Sequence, residues 1–73
     1  MSKAGIALKQ VLETHQITQY NLAQEMGISR SNIHRWINEV GDPVGDSILA
    51  IRDALERINP AAAKDFKDLY WGQ

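Results

Sequence analysis

The most informative part of this sequence is TQYNLAQEMGISRSNIHRWIN, residues 18–38. Thr18 has a side chain that can cap a helix, and the apolar spacing after it is helical as far as Gly27. A glycine tolerates the left-handed backbone that ends a helix, and Ser29 can cap the next helix two residues later. The segment therefore predicts two short helices joined by a tight turn, the second ending at about Asn38.

Two helices joined in this way pack at a steep angle only if the side chains at their crossing fit together. Ala23 supplies the small side chain that lets the two backbones approach each other. We predict that Trp36 lies in the core rather than serving as a stacking platform, because its neighbour Ile37 is also large and apolar. The predicted inward set is Leu22, Met26, Ile28, Ile33, Trp36 and Ile37.

The rest of the sequence predicts three further helices and no strand, because no alternation of apolar and polar residues persists. A first helix covers about residues 3–15, with Ser2 as a candidate cap. Residues 39–45 contain glycine and proline and predict a loop, after which Asp46 or Ser47 caps a fourth helix. The predicted inward residues of these two helices are Leu8, Val11 and Leu12, then Ile48, Ile51, Leu55 and Ile58.

A fifth helix is predicted to begin at Asn59-Pro60, a capping residue followed by proline at the first helical position. Its inward side is expected to carry Ala63, Phe66, Leu69 and Tyr70. The sequence as a whole therefore predicts one all-α domain over residues 1–73, a five-helix bundle with its helix-turn-helix motif at residues 19–38.

Composition argues against several classes of protein. The 73 residues include no cysteine, so a disulfide framework and a cysteine-based zinc site are excluded. Neither a signal peptide nor an apolar stretch of the ~20 residues that a membrane helix needs is visible, and we expect a cytoplasmic protein without a membrane partner. Eight basic and nine acidic residues give a net charge of −1, which argues mildly against a nucleic-acid partner.

The sequence offers little support for catalysis. His15 and His34 lie in different predicted helices, and no metal-ligand spacing or phosphate-binding glycine loop is present. Ser47, His34 and Asp46 could be drawn as a catalytic triad on paper, but a small bundle offers no deep pocket for one. We therefore predict that the chain is not an enzyme, with no cofactor, no metal and no small-molecule ligand.

The outward face of the third helix is the candidate functional surface. If the apolar residues point inward, a polar face with helical spacing lies opposite them, and two polar residues flank its N-terminal end. Arginine can bridge guanine O6 and N7, and asparagine can pair with adenine N6 and N7. The alternative is an ordinary solvated helix face. For His34 both a DNA contact and a solvent-exposed side chain are consistent with the sequence. The candidate base-contacting residues are Arg30, Ser31, Asn32, His34 and Arg35.

Residues 18–38 resemble the helix-turn-helix of the Cro/Xre family, to which the lambda-type phage repressors belong. The resemblance continues without a gap through Pro43 and the pattern DSILAIRDAL. It implies a lambda-repressor-like bundle and a bacterial or phage transcriptional regulator, a repressor, whose third helix enters the major groove of double-stranded DNA. It also implies phosphate contacts by Thr18, Gln19 and Asn38.

The chain departs from the family pattern after the third helix. Glu39, Asp42 and Asp46 make the loop acidic where the family usually has basic residues, which puts phosphate contacts by the loop in doubt. Ile37 stands where the family often has a glutamate, so it either deepens the core or marks a contact surface. Lys3 and Lys9 add positive charge to the first helix, but the sequence does not place them.

The resemblance also implies a homodimer joined near the fifth helix, reading a palindromic operator. The residues expected at that interface are Phe66, Tyr70 and Trp71. The alternative for Trp71 is that it folds back over Tyr70 or Phe66 in a monomer. The alternative function is a protein-interaction module on the same fold, antitoxin-like or regulator-binding, with weak or lost DNA binding.

Overall fold

The computed structural model describes residues 3–38, 41 and 43–72, and its helices follow the predicted order. They are α1 Lys3–His15, α2 Gln19–Met26, α3 Arg30–Ile37, α4 Gly45–Ile58 and α5 Pro60–Trp71. No strand occurs among the described residues, which confirms the all-α fold class. None of the helices in this part of the chain is long and apolar enough to cross a membrane. Ser2, the candidate cap of α1, lies outside the described residues.

All five helices contribute to one hydrophobic core. α5 packs against α1 and α4, α2 packs against α3 and α4, and α3 packs against α1, so the helix-turn-helix pair rests on α1 and α4. Burying a large apolar side chain stabilises the fold by about 1.5–3 kcal/mol, so this shared core fixes the position of α3. The fully buried large side chains are Leu8, Val11, Leu22, Ile33, Ile51, Leu55 and Phe66. Trp36 is also buried, as predicted.

α1 ends in a backbone motif that was not predicted from the sequence. Gln16 adopts a positive φ of 56°, a conformation that side chains other than glycine rarely take. The amide of Ile17 donates to the carbonyl oxygen of Leu12 at 2.9 Å, and the amide of Gln16 donates to that of Glu13 at 3.4 Å. This is the Schellman arrangement, in which the last carbonyls of a helix are satisfied and the chain turns sharply. The buried Ile17 then leads directly into α2.

The turn between α2 and α3 has the predicted geometry. The hydroxyl of Thr18 accepts a hydrogen bond from the amide of Asn21 at 3.0 Å, so Thr18 caps α2. Gly27 takes φ 73° and ψ 29°, the left-handed conformation that ends the helix. Ser29 stands at the N-cap position of α3, but its side chain makes no capping hydrogen bond. The two helices therefore begin differently although the turn between them is tight.

The start of α4 corrects one prediction. The helix begins at Gly45, inside the predicted loop, and its N-cap is Val44 rather than Asp46 or Ser47. The amide of Ile48 donates to the carbonyl oxygen of Val44 at 3.0 Å, so helical hydrogen bonding starts earlier than the sequence suggested. Asp46 instead lies in the first helical turn, where a negative charge interacts favourably with the helix dipole.

The start of α5 is as predicted, but its inward face is not. Asn59 caps the helix by accepting a hydrogen bond from the amide of Ala61 at 3.0 Å, with Pro60 at the first helical position. Leu69, expected on the inward side, is exposed, and Ala62 is buried instead. The helix is rotated so that Leu69 lies at its edge and borders a groove against α1.

Candidate nucleic-acid interface

The outward face of α3 carries most of the predicted base-contacting residues on one continuous surface. Ser31, His34, Arg35 and Asn38 recur at helical spacing, and all four are exposed. Ile33 and Trp36 lie on the opposite side and are buried in the core. Arg30 is exposed beside the N-terminal end of this surface. We call Arg30, Ser31, His34, Arg35 and Asn38 the recognition face.

The arginines of the recognition face are available to a ligand. Within the described residues, neither Arg30 nor Arg35 forms an ion pair or a side-chain hydrogen bond. The carboxylate of Glu25 on α2 is occupied, because Arg57 Nε donates to its Oε1 at 2.6 Å. Arg57 also donates to the backbone carbonyl oxygen of Glu25 at 3.0 Å. A cation from α4 therefore offsets the negative charge that the second helix carries.

Other carboxylates are also held by partners, away from α3. His15 Nε2 lies 2.7 Å from Asp65 Oδ2, which joins the end of α1 to α5. Lys64 donates to Asp68 at 2.9 Å, and this hydrogen bond raises the pKa of the Lys64 ammonium above its usual value. Because the pairs Arg57–Glu25 and Lys64–Asp68 cancel locally, a net charge of −1 leaves room for a positively charged recognition face.

Asn38 ends α3 and turns back on it. Its side-chain amide nitrogen donates to the backbone carbonyl oxygen of His34 at 2.8 Å. The same nitrogen lies 3.2 and 3.3 Å from the two ring nitrogens of His34. The amide group is therefore already engaged, and its carbonyl oxygen is the atom left for other partners. A phosphate needs a donor, so contact through the Asn38 amide requires this side chain to rotate outward.

Asn32, the remaining base-contacting candidate, lies beside the recognition face rather than on it. It is half-buried and lines an open groove of about 440 Å³ together with Trp36, Asp46 and Ser47. Asn32 is four residues before Trp36 in a helix, so the two share the side that faces α4. The other four candidates lie together and Asn32 lies apart from them.

The predicted phosphate contacts at the start of α2 lie beside a lysine that the sequence could not place. Thr18 is exposed and Gln19 is half-buried. Both line a groove of about 300 Å³ whose wall also includes Lys9 from α1 and Ile37 from α3. Ile37 is half-buried and packs against the core, so it both deepens the core and borders this groove. The positions of Lys9 and Gln19 depend on how α1 packs against the helix pair, and local spacing does not reveal that.

The three residues expected at a dimer interface differ in exposure. Phe66 is fully buried in the core, so it cannot touch a partner directly, and its placement at the interface is corrected. Tyr70 is half-buried and stacks on Phe66 with ring centres 5.9 Å apart. Trp71 packs edge-on against Tyr70 at 5.0 Å, yet 46% of its surface stays exposed. Trp71 is therefore the one of the three that offers a large open apolar surface.

Residues 7–58 match the family model of the Cro/C1-type HTH DNA-binding domain. This range covers more than half of the chain and includes all of the first four helices except the N-terminal turn of α1. The chain belongs to the Cro/C1-type helix-turn-helix family. No curated protein and no solved structure gives a significant match.

Membership of the Cro/C1-type family confirms the resemblance found in the sequence and agrees with the observed five-helix architecture. The family consists of DNA-binding regulators, so its members act through a nucleic-acid interface. In this Cro/C1-type domain α1 and α4 pack against the helix-turn-helix, and the residues named above as the recognition face form an exposed polar surface on it.

Proposed function

We propose that this protein is a sequence-specific transcriptional repressor that reads the major groove of double-stranded DNA with α3. The observation that carries the proposal is the recognition face, where Arg30 and Arg35 are exposed and have no ion-pair partner within the described residues. An α-helix fits the major groove, where each base pair presents a distinct pattern of donors and acceptors. A domain bound across a promoter represses by occupying the site that a polymerase needs.

The side chains of the recognition face differ in the hydrogen-bonding groups that they present to DNA bases. Arg30 and Arg35 each present a planar fork of donors that suits guanine, while Ser31 can donate or accept. His34 presents its imidazole beside them. We therefore expect preferred sites to be rich in guanine at the positions beneath the two arginines.

The start of α2 is assigned to the DNA backbone. Thr18 accepts a hydrogen bond from Asn21, which leaves its own hydroxyl proton free to donate. Gln19 has an uncharged amide donor at the first position of the helix, where backbone amides also favour phosphate. Asn38 joins them if its amide rotates away from His34. We place this activity in the cytoplasm of a bacterial or phage-infected cell.

Selection of duplexes from a random library, repeated at two salt concentrations, tests the proposal. The protein should enrich one motif at both salts, and Arg35→Ala should lose ~1–3 kcal/mol of binding and relax preference at one base pair. Arg52→Ala is the matched control, because Arg52 lies on α4 and already binds Asp53. Failure to enrich any motif would favour the protein-interaction module. Unchanged selectivity in Arg35→Ala would remove Arg35 from base reading.

We propose further that two copies bind a palindromic operator, joined through the end of α5. One helix-turn-helix reads few base pairs, and a two-fold dimer would place two recognition helices about one DNA turn (~34 Å) apart. Trp71 supports this arrangement because it is large, apolar and half exposed on the rim of the Phe66–Tyr70 stack. Tyr70 would reinforce it from its half-buried position.

The test compares Trp71→Ala with Leu69→Ala, since both residues are exposed apolar side chains on α5. In the dimer, Trp71→Ala reduces cooperative binding to a duplex with two half-sites, while circular dichroism and melting temperature stay nearly unchanged. Leu69→Ala should leave cooperativity intact. If Trp71→Ala melts much earlier and the parent never binds cooperatively, Trp71 serves the monomer's own packing and the dimer is wrong.

A further inference from the structure

The groove between α1 and the start of α2 brings together side chains that the sequence separates. Lys9 comes from the middle of α1, while Thr18 and Gln19 open α2, and all three line the same open groove of about 300 Å³. Ile37, the last residue of α3, borders it too, next to Asn38 of the recognition face. The groove therefore lies on the flank of the surface assigned to DNA.

The chemistry of this groove suits an anion with several oxygen acceptors. Lys9 is exposed, and within the described residues its ammonium has neither an ion pair nor a hydrogen bond. Thr18 can donate its hydroxyl proton, since the hydroxyl oxygen already accepts from the amide of Asn21. The side-chain amide of Gln19 also has no hydrogen-bond partner among the described residues. Three donors of different length thus line one groove, and one of them is charged.

We propose that Lys9 binds a backbone phosphate of the DNA together with Thr18 and Gln19, as a positioning residue that contributes affinity but no sequence preference. The assignment rests on the proposed function, because the phosphate is that of a duplex lying against the recognition face. Lys9 then replaces, from α1, part of the positive charge that the acidic segment after α3 does not supply. Its flexible side chain suits a point charge that reaches a phosphate without fixing a plane.

Glu13 provides a second test, in which the expected effect on DNA binding has the opposite sign. It lines the same groove one helical turn after Lys9, but the two do not form an ion pair. Its carboxylate lowers the attraction of the groove for phosphate and is itself repelled by a bound duplex. Lys9→Gln should therefore weaken binding and Glu13→Gln should strengthen it, whereas a groove away from DNA would leave both variants unchanged.

The first experiment measures affinity for the selected duplex over a series of salt concentrations. Each phosphate contact contributes about −0.9 to the slope of log affinity against log salt, so the slope for Lys9→Gln should be shallower than the parental slope by about 0.9. Affinity at about 0.1 M salt should fall roughly five- to tenfold, equally for matched and mismatched sites. Lys67→Gln is the matched control, since Lys67 is exposed on α5, which packs on α1 and α4. Circular dichroism should be unchanged in both variants.

The second experiment identifies the phosphate. Methylphosphonates placed one at a time along the duplex remove single negative charges, and at one position the parent should lose as much affinity as Lys9→Gln loses. At that position alone, Lys9→Gln and the parent should bind equally. Competition by inorganic phosphate distinguishes a free-anion site, because millimolar phosphate that weakens the parent at constant ionic strength would overturn the backbone assignment.

An error in the proposed function and an error in the assignment of Lys9 give different results in these experiments. If no duplex binds, the proposed function fails and Lys9 is irrelevant to it. If the parent binds its selected duplex but Lys9→Gln keeps the parental salt slope, the function stands and the assignment of Lys9 is wrong.

Discussion

The positive charges on the two sides of the domain are arranged differently. In the part built from α1 and α3, Lys9, Arg30 and Arg35 have no ion-pair partner within the described residues. In α4 and α5, by contrast, three of the four cations bind a carboxylate, and one of the three reaches across to α2; Lys67 is the exception. Those pairs are Arg52–Asp53 at 2.9 Å, Arg57–Glu25 at 2.6 Å and Lys64–Asp68 at 2.9 Å.

Because of this difference, the net charge of the chain is a poor guide to whether it binds DNA. A DNA backbone responds to the local field within about a Debye length, ~10 Å at 0.1 M salt, rather than to the sum over the molecule. Paired cations contribute little field outside their pair, whereas unpaired ones attract phosphate. The net charge of −1 is therefore compatible with DNA binding through the unpaired side.

The strongest test of the comparison removes the unpaired arginines together. The double variant Arg30→Ala, Arg35→Ala should lose about 2–6 kcal/mol of binding to the selected duplex, since each bidentate contact is worth about 1–3 kcal/mol. Titration of the labelled duplex measures this loss. Both side chains are exposed, so the melting temperature should hardly change. A variant that retains parental affinity would show that the unpaired arginines are ordinary solvated charges.

A smaller effect of opposite sign is expected from an acidic residue near α3. Asp46→Asn removes an exposed carboxylate from the groove that α3 and α4 border, and we expect binding to tighten about two- to threefold. Stability should fall by about 0.3–1 kcal/mol, because the charge interacts favourably with the first turn of α4. Weaker DNA binding at unchanged stability would mean that Asp46 takes part in recognition.

The sequence predicted the helix-turn-helix well because its constraints are local. Thr18, Gly27 and the apolar spacing between them act within a few residues, and the structure has the expected cap and left-handed turn there. The pair Asn59-Pro60 is equally local and equally well predicted. At the end of α1 there is no glycine, so nothing in the sequence indicated a left-handed residue there. Gln16 takes the left-handed conformation at the end of α1 although nothing in its chemistry favours it.

The features that the sequence did not predict depend on contacts between distant segments. Arg57 and Glu25 are 32 residues apart, and His15 and Asp65 are 50 apart, so no spacing rule connects them. The groove that Asn32 lines was not predicted, because helical spacing places Asn32 on a flank of α3 and only the tertiary structure brings residues of α4 beside it. The role of each recognition-face residue stays a prediction.

The pair across α2 and α4 provides the next test. Arg57→Ala breaks the ion pair with Glu25 and should cost about 0.2–1 kcal/mol of stability, since both side chains are largely exposed. The slope of log affinity against log salt should stay at the parental value, because Arg57 is assigned to a protein partner. Thermal melting and a salt series measure the two quantities. A slope shallower by about 0.9 would instead place Arg57 on the DNA.

The smallest effect is expected from the most distant pair. Lys64→Gln on α5 should leave DNA affinity, sequence preference and salt slope unchanged, which is the outcome for a cation that is paired and remote from α3.

The effect of Lys64→Gln should be seen only in the stability of the fold at alkaline pH. The hydrogen bond to Asp68 raises the pKa of Lys64 above 10.5 in the folded chain, so the charged form favours folding. That contribution is fully present below pH 10.5 and is lost as the pH rises through the folded pKa. The parent should therefore lose slightly more stability than Lys64→Gln in that alkaline range, as followed by melting. If Lys64→Gln instead weakens DNA binding, cations of α5 contribute to the field that the duplex meets, and pairing alone does not separate the two sides.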